Sequence, residues 1–510
     1  MVLKNFNSIL DVFENTVSRF PKREAAIDPN SRITWEELED RAKKYASVIL
    51  DRVNPSEDGY PVAVFSEKTV SLLASILGIN YAGAFYTYIN PEQPADRINK
   101  ILDVLEPKAV VLSDELKDRF LETGYQGEII LMSEMDVNEY STLLPEMREK
   151  IDRETPLYGI FTSGSTGTPK CVLISHGNAM DFINHFVDTF GFTENDVIGN
   201  QAPFDFDVSI KDIVTAYFSG ASLVLIPREY FSTPARLLDY ICDNHVTNLT
   251  WAVSALCIIS GLKGFSYRVP TEIKRVMFSG EVMPMKQLLI WQENLPEARF
   301  VNLYGPSEIT CNCTYFELER KYEKDERLPL GKVFEGRKVR LLDENDKVIT
   351  EPGITGEICV TGESLAIGYY HNEEQTKAHF VNYTEADGSV VRMYRTGDMA
   401  VIEDDGQMYF AGRKDFQIKH MGHRIELEEI ERGVNAIDGI ERCICTYDAA
   451  KKRITAFYTG SMEKKELHLK LKEKLPVYMV PNRFNHVKEF ILNKNGKVDR
   501  KVLNDLEVIG

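Results

Sequence analysis

Leu157-Tyr-Gly-Ile-Phe-Thr162, continued by Ser163-Gly-Ser-Thr-Gly-Thr-Pro-Lys170 and Cys171-Val-Leu-Ile174, is the stretch from which the rest of the chain can be read. Its apolar, β-prone ends predict two strands, and the Ser/Thr/Gly run between them predicts a flexible loop. Glycines let a backbone approach a ligand closely. The hydroxyls and N–H groups of Thr162, Ser163, Gly164, Ser165, Thr166 and Gly167 are donors for phosphate oxygens, with the charge of Lys170 beside them. The spacing is not that of a Walker loop, because Pro169 precedes the lysine and a strand rather than a helix follows it. By itself the stretch is either a phosphate cradle or a Ser/Gly surface hairpin.

Working outward, Ile9, Leu10, Val12, Phe13, Val17 and Phe20 recur at helical spacing and stop at Pro21. Residues 61–66 and 109–112 read as strands, 67–82 as a helix, and 222–226 and 275–278 repeat the apolar strand pattern. This alternation predicts the α/β class, with layered and largely parallel sheets. From about residue 328, short strands broken by turns such as Asp404-Asp-Gly406 predict a small antiparallel, β-barrel-like part reaching residue 412. Beyond it the sequence reads as a separate α+β lid, with a helix from about Glu426, strands around Cys443 and Ala456, and a charged helix over 463–475. The expected division is a core domain of residues 1–412 and a lid of 413–510, in keeping with a length of 510 that exceeds one ordinary hydrophobic core.

A net charge of −18 argues against nucleic acid as the main partner, since backbone binding depends on clustered Lys and Arg. The first residues lack the pattern of a signal peptide, and no apolar run is long enough for a membrane span, so a cytoplasmic location is expected. The eight cysteines do not form a disulfide framework. Cys311/Cys313 and Cys443/Cys445 lack a second pair or His at zinc-finger spacing, so they are expected on core strands and no structural zinc is expected.

The Gly-rich stretch has companions in fixed order: Asn302-Leu-Tyr-Gly-Pro-Ser-Glu308, Tyr394-Arg-Thr-Gly-Asp398, Gly412-Arg-Lys-Asp415 and Asn495-Gly-Lys-Val-Asp-Arg500. Together they resemble the ANL superfamily of adenylate-forming enzymes, over nearly the whole chain. Within it the chain is most similar to amino-acid adenylation domains of nonribosomal peptide synthetases and to D-alanine–carrier protein ligases. The resemblance implies that ATP's phosphates sit on the Gly-rich loop and that Gly280, Glu281 and Asn302 line the adenine side. It makes Tyr304 the stacking ring, with Gly305 and Ser307 beside it. Asp398, assisted by Arg413, would hold the ribose, and Glu308 would ligate Mg²⁺. Lys497 matches the catalytic lysine that bridges the substrate carboxylate and the α-phosphate, where a point charge neutralises two anions that must meet. Asp415 matches the hinge about which the lid rotates between half-reactions. The segment Lys419-His-Met-Gly-His-Arg-Ile-Glu426 would then face the tunnel for a thiol arm. The chain departs from the family pattern at Met421-Gly422, where Arg-Gly is usual, at Cys171, where Gly is usual, and at Ser307, where Thr is usual.

Phe204-Asp-Phe-Asp-Val-Ser209 matches the motif that puts a carboxylate, here Asp207, on the α-ammonium of an amino acid. A buried carboxylate needs such a cationic partner. Aligned onward, the substrate pocket would be lined by Asp207, Val208, Lys211, Thr250 and Met277, and by Ser279, Leu303, Cys311 and Asn312. That lining is polar, so a small or polar side chain is expected, with serine, alanine and an acidic amino acid all open. Lys211 either meets a substrate carboxylate or snorkels outward. No carrier or condensation segment follows Arg500, so the expected acceptor is the phosphopantetheine thiol of a carrier protein acting in trans. The rival readings are an acyl- or aryl-CoA synthetase and a degenerate nucleotide-binding scaffold.

Overall fold

Several helices begin where a Ser or Thr side chain closes a capping box on the N3 residue, which satisfies otherwise orphaned N–H groups. Ser8 and Asp11 do this for Ile9–Arg19, Thr34 and Glu37 for Trp35–Val53, and Ser175 and Asn178 for His176–Phe190. The helix Asp207–Ser219 instead stops on Gly220 in the left-handed conformation. Phe13, Trp35 and Tyr217 meet edge to face, with centroids 5.0 to 6.2 Å apart, and seal the first helices onto the core. The computed structural model describes residues 6–55, 57–164, 168–449, 451–490 and 503.

Two mixed sheets carry the N-terminal part. In the nine-stranded sheet, six parallel strands run in the order Arg299–Tyr304, Arg275–Ser279, Asn248–Ala252, Val197–Asn200, Ser222–Leu225, Glu24–Ile27, with antiparallel strands at both edges. In the seven-stranded sheet, five parallel strands end on Pro156–Thr162, which pairs antiparallel with Lys170–Ser175. Parallel strands are covered on both faces, and the strand Tyr60–Phe65 is accordingly buried along its whole length. The strands expected at 61–66, 109–112, 222–226 and 275–278 are present to within a residue. The helix expected from residue 67 starts later, at Val70, because Thr69 supplies the cap.

A third, antiparallel sheet of five strands spans Arg337 to Arg413, and its long strand Val390–Ile402 pairs with three neighbours. After it comes a short hairpin, Gln417–His420 and His423–Glu426. Its two-residue turn, Met421-Gly422, has φ of 53° and 83°, the paired positive values that suit a tight hairpin. The helix Leu427–Asn435, a three-stranded sheet and the helix Lys464–Lys474 enclose a core of their own around Ile430, Val434 and Leu467.

One expectation fails. Cys443 and Cys445 lie buried on the strand Ile440–Asp448, but Cys311 and Cys313 lie in the loop before Thr314–Glu317. There Thr310 and Cys311 both have positive φ, which a strand does not tolerate. Among the described residues no helix is long and apolar enough to cross a membrane.

Candidate active site

The carboxyl ends of Val197–Asn200, Arg275–Ser279 and Arg299–Tyr304 open toward the Gly-rich hairpin, the usual place for a ligand in a parallel sheet. One cavity there is lined by Thr162 and Ser163 of the Gly-rich hairpin, by Asp207 and Lys211, and by Ser279, Gly280 and the run Gly305-Pro306-Ser307. Asp398 and Arg413 border it too, and the lid hairpin contributes Lys419, Gly422, His423 and Arg424. The quoted motifs other than Asn495-Gly-Lys-Val-Asp-Arg500, which lies outside the described residues, therefore meet in one space.

In the Gly-rich hairpin Thr162 pairs with Lys170 in register. A Cβ at Gly164 would lie 2.0 Å from the carbonyl oxygen of Thr168, so the turn admits only glycine. The C-terminal part meets this hairpin at two residues: Ser163 donates to the carbonyl of Arg424 at 2.8 Å, and Arg432 donates to the carbonyl of Gly164 at 3.1 Å. Lys170 is buried with its ammonium 5.0 Å from the centre of the Tyr369 ring. Burial, and then the nearby charge of Arg424, lower its pKa. Ser165, Thr166 and Gly167 lie outside the described residues, as does Lys497.

Asp398 sits on the long strand Val390–Ile402, opposite Arg413 in the antiparallel register. The Tyr304 hydroxyl donates to it at 2.7 Å, and the Arg413 guanidinium bonds its other oxygen. The same guanidinium makes a two-pronged contact with Asp415, 2.7 Å on each arm. Arg413 thus couples the carboxylate at the cavity wall to Asp415, just before the hairpin Gln417–His420 and His423–Glu426. Asn302 donates to the carbonyl of Pro329 at 3.0 Å. Glu281 is engaged by the lid, accepting from the Gly422 N–H and from Lys452, each at 2.6 Å.

Glu308 is wholly buried in the short helical turn after Arg299–Tyr304. It accepts from the Tyr369 hydroxyl at 2.8 Å and from Arg424 at 2.9 Å on both oxygens. Burial alone would raise its pKa; the Arg424 charge, the Tyr369 bond and Lys170 outweigh burial and hold the carboxyl at about 2. Glu308 is therefore ionised at any physiological pH.

On the substrate side, Asp207 opens the helix Asp207–Ser219, and burial raises its pKa against the opposing charge of Lys211. Lys211, one turn on, is 1% exposed and donates to Oδ1 of Asn312 at 2.7 Å, so it does not snorkel outward. Val208, Ser279 and Cys311 also line the cavity, and the Cys311 thiol donates to the carbonyl of Asp207 at 3.2 Å. Thr250, Met277, Leu303 and Asn312 are buried behind this wall rather than on it. Sequence reading missed the part played by Tyr369 and by Lys419, whose ammonium lies 5.9 Å from the Tyr304 ring centre. It also missed the partner of Arg424, because nothing local links residues 116 positions apart.

A family model described as AMP-binding enzyme matches residues 13–370. Tyrocidine synthase 1 of Brevibacillus parabrevis is 31% identical over 504 residues, covering 97% of this chain but 45% of the synthase. The D-alanine--D-alanyl carrier protein ligase of Listeria monocytogenes serotype 4a is 30% identical over 516 residues, covering 97% of this chain and 98% of the ligase. The chain thus spans less than half of that synthase and nearly all of that ligase. A solved nonribosomal peptide synthetase protein with adenylation and peptidyl-carrier domains, bound to a vinylsulfonamide inhibitor, shares the fold with a TM-score of 0.84 at 23% identity, covering 99% of this chain and 85% of that one. The chain belongs to the AMP-binding enzyme family.

Proposed function

We propose that this chain adenylates an amino acid with a small or polar side chain and passes the aminoacyl group to the phosphopantetheine thiol of a separate carrier protein. The observation that carries the reading is the place of Asp207, half-buried on the wall of the cavity that Asp398 and Arg413 also line, where removal from water raises its pKa. A carboxylate whose burial raises its pKa gains most from a cationic ligand group, and an α-ammonium is one.

In the first half-reaction the substrate carboxylate attacks the α-phosphorus of ATP, giving aminoacyl-AMP and pyrophosphate. No protein nucleophile is needed; the protein orients the two reactants and neutralises charge. Asp398, oriented by Tyr304 and Arg413, accepts from the ribose, and Lys497 bridges carboxylate and phosphate. Glu308, kept ionised, suits one carboxylate ligand of a Mg²⁺ that arrives with the nucleotide's phosphates, and that ion would neutralise phosphate charge. Glu308 serves that ion only when Arg424 has left it. The lid placement described above therefore suits the second half-reaction, in which the thiol attacks the acyl carbon and AMP departs. The eight cysteines, all free, suit the reducing cytoplasm where such a reaction would run.

ATP–pyrophosphate exchange tests the proposal directly, with the proteinogenic amino acids, D-alanine and a panel of fatty and aryl acids. Stimulation by an amino acid is the expected result. Stimulation only by fatty or aryl acids would assign the chain to acyl- or aryl-CoA synthesis instead, and ATP binding without exchange would leave a scaffold.

A further inference from the structure

Asp207 and Lys211 are four residues apart on one helix, so they share a face, and both line the same cavity. An ammonium has three donors. The one partner at hydrogen-bond distance from that of Lys211 among the described residues is the amide oxygen of Asn312, and no ion pair forms to it there. The neighbouring Asp212, which does not line the cavity, accepts from Asn200 at 3.0 Å. Asp207 and Asp212 both act on Lys211, and Asp207 is the one on the cavity wall.

An amino acid changes this balance. Once its α-ammonium occupies Asp207, a neutral side chain leaves the Lys211 charge buried, 1% exposed, with one amide oxygen at hydrogen-bond distance and only Asp212, itself bonded to Asn200, as a nearby carboxyl. A buried charge without a counter-charge is costly, whereas a side-chain carboxylate restores neutrality and fills the free donors. We propose that the substrate is an amino acid with a carboxylate side chain and that Lys211 is the residue that selects it. The inference rests on the amino-acid reading above. Dimensions agree: four residues of helix rise about 6 Å, the scale of the separation between the α-nitrogen and the distal carboxylate of a short dicarboxylic amino acid. Of the other cations that border the cavity, Arg97, Arg413 and Arg424 are already paired with Glu429, Asp398 and Glu308, and Lys419 lies against the Tyr304 ring.

The test is steady-state exchange kinetics on the full chain with aspartate, glutamate, their amides, serine and alanine, for wild type, Lys211→Met and Lys211→Arg. Wild type is expected to favour one dicarboxylic acid over its amide by on the order of 100-fold in kcat/KM. Lys211→Met should raise KM for the acid more than it lowers kcat and should shrink that preference, and Lys211→Arg should restore part of it. A wild-type preference for a neutral amino acid overturns the inference while leaving amino-acid adenylation standing. An acid-to-amide ratio unchanged in Lys211→Met overturns the role of the lysine. Exchange with no amino acid overturns this inference together with the function beneath it.

Discussion

Nη1 of Arg424 lies 2.9 Å from each carboxylate oxygen of Glu308. The arginine comes from the hairpin strand His423–Glu426 and the glutamate from the short helical turn Ser307–Ile309, so the C-terminal part is fastened to the floor of the cavity. Both side chains are well shielded, 17% and 0% exposed, and such pairs are costly to break by removing one partner. A guanidinium across both oxygens and a metal ion on the same carboxylate exclude each other. On the proposed two-step scheme, the contact would tie the position of the C-terminal part to the stage of the reaction.

Replacing Arg424 with Ala should act on one half-reaction. Amino-acid-dependent exchange should stay within roughly threefold of wild type, and its half-saturating Mg²⁺ concentration should fall, since a competitor for Glu308 is gone. Transfer from preformed adenylate to a pantetheine thiol should drop by about 10- to 100-fold. Equal losses in both steps would contradict the assignment.

Lys497→Ala should show the opposite split. Exchange should fall by on the order of 100- to 1,000-fold, the usual cost of losing a charge that stabilises a transition state. Thiol transfer from preformed adenylate should be largely kept, because on the proposed scheme the lysine serves only the first half-reaction. Comparing the two single-turnover rates decides it; parallel loss would argue for one fixed lid position.

Asp207→Asn keeps shape and removes charge. The KM for the amino acid should rise by roughly 10- to 100-fold, as for a lost charged hydrogen bond, with the KM for ATP unchanged. A matching change in both constants would place Asp207 in the nucleotide site instead.

His176 gives a pH test of the fold. It is fully buried, its Nδ1 accepts the Ile9 N–H at 3.1 Å, and burial, with the Arg148 charge adding, holds its pKa down to about 3 from 6.5. Between pH 6.5 and 3 the unfolded chain binds a proton that the native imidazole does not, so stability falls as pH falls through that window. His176→Gln removes the titration. Its stability should fall less steeply on acidification than that of wild type, by up to about 1.4 kcal/mol per pH unit. Identical slopes in urea unfolding at pH 4.5 and pH 7 would show that His176 is not the group responsible.

How far the sequence could be read followed the range of the interactions involved. Strands such as Ala109–Leu112 are continuous apolar runs, and buried parallel strands need little more, so they were legible. The hairpin at Pro156–Thr162 and Lys170–Ser175 was legible because a Ser/Gly turn between β-prone segments allows few alternatives. Cys311 was misplaced because its positive φ is set by the close packing around Gly305, where a Cβ would sit 2.6 Å from Cα of Asn312. The motifs named Glu308, Asp398 and Arg413, but not what each touches. That Arg413 bridges Asp398 and Asp415, or that Arg424 holds Glu308, depends on register and on lid placement, which local pattern does not encode. Burial of Lys211 likewise depends on the wall behind it, supplied by Asn312 from a distant loop.

The central claim is that a carboxylate attacks the α-phosphorus of ATP, and oxygen tracing tests it most directly. The preferred amino acid, labelled with ¹⁸O in its α-carboxylate, is turned over with ATP, Mg²⁺ and a pantetheine thiol, and the products are weighed by mass spectrometry. The account predicts one ¹⁸O atom in AMP and none in pyrophosphate, because the carboxylate oxygen stays on the phosphorus when the thiol takes the acyl group. Label in inorganic phosphate, with ADP as the nucleotide product, would contradict it.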